Sequence, residues 1–86
     1  MTTIGDTSSR LRTVFTQVLR ISDDVPDENI SMETQFAWDS MAHINLILAI
    51  EQEFRIALTP EEASEAITFD GFREIIGRKQ KEGQGG

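Results

Sequence analysis

Three residue types capable of joint chemistry cluster in the stretch FAWDSMAH: Asp39, Ser40 and His43. Asp39 directly precedes Ser40, and the sole histidine, His43, follows Ser40 by three positions and Asp39 by four. These are the residue types of a serine hydrolase, in which histidine takes the serine proton and aspartate orients the histidine. A triad also needs an oxyanion hole, a substrate pocket and a histidine poised between its partners. A chain of 86 residues forms one small domain without room for a deep cleft of its own. The residues alone therefore favour a solvent-facing His43, with Asp39 and Ser40 serving a helix start, where such side chains accept from unpaired backbone N–H groups.

Composition narrows the partners. Fifteen acidic against eight basic residues give a formal charge of −7, which repels nucleic acid and anionic membranes and attracts basic protein surfaces. There is no cysteine, which excludes disulfides and thiolate metal sites. The longest apolar stretch, Ile44 to Ile50 interrupted by Asn45, is far too short for a membrane span. The start MTTIGDTSSR lacks the basic and apolar regions of a secretory signal, so a cytoplasmic monomer is the expectation. The acidic run DDVPDENISME lacks the glycine and alternating oxygen ligands of a calcium loop, and no metal site is expected there. The terminal Gly85-Gly86 is shared with ubiquitin-type modifiers, but those fold around a sheet and this chain has helical periodicity nearly throughout.

The elements that must position Asp39 and Ser40 are helices. Leu11, Val14, Phe15, Val18 and Leu19 recur at the spacing of an amphipathic helix over roughly Thr7 to Arg20. A long ordered loop follows from Ser22 to Asp39, with Val25, Ile30 and Phe36 as its expected anchors on the core. Asp39 caps a second helix from Ser40 to Phe54, and Thr59 with Pro60 opens a short acidic helix, PEEASEA. ITFDGFREIIGRKQK is a last helix on Phe69, Phe72, Ile75 and Ile76. The expected fold is an all-α four-helix bundle of three longer helices and one short one, a single domain over residues 1–80 with a flexible tail at 81–86.

The apolar arc of the second helix is wider than one small bundle can cover. Leu46, Ile47, Ile50 and Phe54 form one face, whereas Met41, Ile44 and Leu48 spread beyond it. All seven can be read as core; alternatively, Met41 and Leu48 stay accessible beside Ser40 as a partner-docking strip.

The run FAWDSMAHINLILAIEQEFRIALTPEEASEAITF resembles the acyl carrier protein family around its Asp-Ser-Leu signature, here Asp39-Ser40-Met41. The likeness covers roughly Leu11 to Ile76, including the length of the loop before Asp39. It implies that Ser40 bears a phosphodiester-linked 4′-phosphopantetheine, transferred from coenzyme A by a magnesium-dependent phosphopantetheinyl transferase. The chain would then have no catalytic residues of its own and would present thioester-bound cargo to acyl-loading and acyl-processing enzymes, without nucleic acid or membrane insertion. The arm would also supply the thiol that the chain lacks. By the same resemblance, Asp39 caps the helix and presents Ser40, and Met41, Ile44, Leu48 and Glu51 occupy partner-facing positions.

Departures from the family pattern point to a specialised, stand-alone carrier. Ala37 replaces a common glycine, Trp38 stands where a small residue is frequent, and Ala42 and Asn45 replace positions that are often acidic. Trp38 thereby joins the expected partner surface, with recognition shifted from charge toward shape and apolar contact. A small Ser-dependent hydrolase and a non-catalytic helical interaction module are the alternatives.

Overall fold

The computed structural model describes residues 7–85, with side chains for 7–81. Among the described residues the elements are α1 (Thr7–Leu19), a 3-10 turn (Asp27–Asn29), α2 (Ser40–Phe54), α3 (Pro60–Glu65) and α4 (Phe69–Gly85). This is the expected all-helical bundle with a long first loop. Met1 to Asp6 and the side chains of 82–86 lie outside the described residues.

The helix limits follow from local chemistry. α1 stops where Arg20 turns left-handed (φ 56°), its N–H donating to the Thr16 carbonyl at 2.8 Å. α2 ends at the left-handed Arg55, φ 57°, a position glycine would fill with less strain. α3 opens on a full capping box: Thr59 Oγ1 accepts from the Glu62 amide, and the Glu62 carboxylate accepts from the Thr59 amide. The last helix begins at Phe69 rather than Ile67. Ile67 and Thr68 are drawn into a single antiparallel bridge with the first loop, in which Met32 donates to the Ile67 carbonyl and Phe69 to the Ile30 carbonyl, both at 3.0 Å. Thr68 Oγ1 then accepts from the Gly71 amide at 2.9 Å and stands at the head of α4. At its other end α4 runs on through 81–85, the segment whose composition reads as a tail.

Phe15 lies at the centre of the core. Its ring meets Trp38 at 5.3 Å, Phe69 at 5.1 Å and Phe72 at 5.9 Å between centroids, each edge to face, the geometry favoured by the ring quadrupoles. Leu11, Ile30, Leu46, Ile50 and Ile76 complete the fully buried set.

One loop expectation is reversed. Phe36, expected to anchor the loop, is entirely exposed (104%), and Trp38, expected on the partner surface, is 2% exposed and belongs to the core. The cause is a tight turn over Gln35 to Trp38, closed by the Trp38 amide donating to the Gln35 carbonyl at 3.0 Å. Phe36 sits at the corner of that turn, and the larger Trp38 fills the space beside Phe15. Ile30 is buried and Val25 packs at the core margin, as the sequence implies.

Candidate functional site

Ser40 is the exposed first residue of α2. A helix start leaves four backbone N–H groups without intrahelical partners. Asp39 Oδ1 accepts the Ala42 amide at 2.9 Å, and the Asp39 amide donates to the Ala37 carbonyl at 3.1 Å. The amides of Ser40 and Met41 remain, at the positive end of a 15-residue helix dipole. A hydroxyl presented beside such amides suits a phosphodiester: the oxygen is reachable, and the anion formed on it meets N–H donors and the helix dipole. Ser40 and its surroundings therefore fit a phosphate-linked group.

The hydrolase constellation is not assembled. His43 is half-buried rather than solvent-facing. Its Nδ1 accepts from the Trp38 indole N–H at 3.0 Å, and its Nε2 lies 2.7 Å from the Ala63 carbonyl oxygen, so both ring nitrogens are engaged away from Ser40. Asp39 spends its carboxylate on the helix cap and does not orient the imidazole. The buried indole explains the histidine: a Trp N–H removed from water needs an acceptor, and His43 supplies one.

Down α2, the exposed strip is apolar. Met41, Ile44 and Leu48 are 72%, 57% and 52% exposed, whereas Leu46, Ile50 and Phe54 are buried and Ile47 is partly so. At about 100° per residue the first three occupy one side of the helix and the buried three the other. The carboxylates of α2 are turned to internal work. Glu51 Oε2 accepts the Leu58 amide at 2.9 Å, fastening the turn after the helix. Glu53 pairs with Arg10 at 3.0 Å, and that guanidinium also stacks 4.6 Å from the Phe54 ring centroid. Glu51 is thus a loop fastener, a role that sequence spacing did not disclose.

In the first loop, Asp27 pairs with Arg12 at 2.8 Å and Thr34 Oγ1 donates to the Asn29 carbonyl at 2.7 Å. Among the described residues no cluster of His, Asp or Glu is placed to hold a metal ion, and no helix is long and apolar enough to cross a membrane.

No curated protein matches the chain at a significant level. Residues 9–76, which span most of the bundle and include Asp39 and Ser40, match the family described as phosphopantetheine attachment site, and the chain belongs to that family of carriers of covalently attached 4′-phosphopantetheine.

Proposed function

We propose that Ser40 is the attachment point and that the chain is an acyl carrier protein, ferrying acyl or related intermediates as thioesters between the enzymes of a specialised pathway. The observation that carries this reading is an exposed serine hydroxyl at the capped start of α2, with two amides left to meet an anion. The attached group supplies, when present, the thiol that a chain without cysteine lacks. In the loading step the Ser40 oxygen forms a bond to the phosphorus nearer the pantetheine, the pyrophosphate linkage of coenzyme A breaks, and the adenosine 3′,5′-bisphosphate half leaves. The transferase takes the serine proton, and Asp39 holds the helix start in shape. No general base is required of this chain, and its own residues do no turnover.

Partner recognition falls to Met41, Ile44 and Leu48, with Phe36 added from the loop. Asn45 supplies an uncharged neighbour on α2, and the Glu51 and Glu53 carboxylates are internally engaged. Such a face favours partners that offer an apolar cleft, with Met41 as an adaptable contact. This supports a dedicated set of enzymes over a charge-steered housekeeping system.

Intact mass spectrometry after incubation with coenzyme A, magnesium and a broad-specificity transferase tests the assignment. One phosphopantetheine should be gained by the wild-type chain and none by Ser40→Ala. An unmodified wild-type chain beside a modified control carrier would sink it.

A further inference from the structure

The Trp38 indole donates to His43 Nδ1, and His43 Nε2 meets the carbonyl of Ala63 in the middle of α3. An indole nitrogen can only donate and a carbonyl can only accept, so this network assigns a neutral imidazole with its proton on Nε2. The bonds therefore run in one direction, from the residue before the α2 cap, through the helix, to α3. The two ring planes lie 21° apart with centroids 6.0 Å from one another, and the indole nitrogen is 3.0 Å from His43 Nδ1.

The two ends of this chain are unequal. Trp38 is wedged among Phe15, Phe72 and the rest of the core. α3 has six residues, buries none of them, and is held from α4 by the Glu62–Lys79 ion pair at 2.8 Å. Ring contacts with Phe15 and Phe72 hold the plane of the indole, but they give its N–H no partner. His43 supplies that partner, and its second bond carries the link to α3. If α3 moves away, His43 loses its carbonyl partner and can turn to water, which leaves a buried indole N–H unsatisfied. The corner that contains Trp38, Asp39 and Ser40 then loses its register.

We propose that His43 is a positioning residue for Ser40: the Trp38–His43–Ala63 chain of bonds holds the Asp39–Ser40 corner in the orientation a modifying enzyme receives, and makes that orientation depend on the seating of α3. The inference rests on Ser40 being the modified residue. A transferase that accepts only the ordered corner sees its apparent affinity reduced by the ordered fraction, so loss of the link raises KM for the carrier and leaves kcat alone.

The test is steady-state phosphopantetheinylation of the full chain, comparing wild type, His43→Leu, His43→Gln, Trp38→Phe and the His43→Leu, Trp38→Phe pair. His43→Leu fills the ring volume without polar atoms and should raise KM roughly three- to tenfold, with kcat within about twofold of wild type. His43→Gln can accept from the indole and donate to Ala63, and should restore KM to within about twofold of wild type. Trp38→Phe removes the donor at the other end and should raise KM by itself, and the double variant should add little to it, because both break one link. As a readout free of the transferase, the exchange of the single indole N–H should quicken in Thr59→Ala, which loosens α3 from a distance. Should His43→Leu fail to fold, the Trp38→Phe kinetics and the indole exchange decide. Unchanged KM in the folded variants, a glutamine variant no better than leucine, or indole exchange indifferent to Thr59→Ala overturns the inference while leaving Ser40 modified. A wild-type chain that is never modified overturns the Ser40 assignment, and this inference with it.

Discussion

α4 and α3 lie next to each other in sequence and are held in place by opposite means. α4 buries Phe69, Phe72, Ile75 and Ile76 against Phe15 and Leu11, so it is retained by area removed from water. α3 buries no residue of its own and is retained by directional polar ties, the Glu62–Lys79 pair and the bond from His43 to Ala63, while its capping box holds its own first turn together. Burial is tolerant of small displacements and costly to undo. Polar ties are specific in geometry and open one at a time. α3 is therefore the element that can leave its seat while the remainder stays folded, the signature of a locally low-stability unit.

The sharpest way to break the comparison is to attack the core. Phe72→Ala removes a ring packed on Phe15 and Trp38 and should cost about 3–5 kcal/mol in global stability, measured by urea unfolding. Thr59→Ala should cost about 1 kcal/mol, felt first as faster hydrogen exchange of the α3 amides, with α1 and α4 little changed. An equal loss of protection in α4 would show that the two helices unfold as one unit.

Acid gives the smallest and most selective effect. The hydrogen bond from Lys79, followed by that from the Thr59 amide, holds the Glu62 carboxyl below its ordinary range. Its folded-state value thus lies beneath that of the unfolded chain. The stabilisation is complete above the ordinary carboxylate range and is lost as pH falls through that range and past the depressed value. Protection of the α3 amides, taken relative to the intrinsic exchange rate at each pH, should fall over that interval in wild type, and the dependence should flatten in Glu62→Gln.

Much of the bundle is legible in the sequence because helices announce themselves by period and by caps. Asp39, Thr59 and Pro60 mark helix starts by chemistry that acts over three residues or fewer, and α2 begins and ends where they and the apolar pattern imply. The loop before Asp39 has no period, so nothing in its letters says which of two aromatics two positions apart turns inward. A single turn closed from Trp38 to Gln35 decides it. The ties of His43 to Ala63 and of Glu51 to Leu58 are contacts across turns, invisible to helical spacing. One signal was available: a lone tryptophan, once buried, requires an acceptor, and the lone histidine stands five residues away.

The strip of Met41, Ile44, Leu48 and Phe36 also bears on how copies of the protein treat one another. Four large apolar side chains left in water would make such a molecule adhesive toward its own kind. A charge of −7 spread over 86 residues acts as a colloidal spacer, holding identical copies apart while leaving the strip open to proteins of opposite charge. The spacer depends on ionised carboxylates and on low ionic strength, so acidified or strongly salted concentrates are where this carrier should begin to associate with itself.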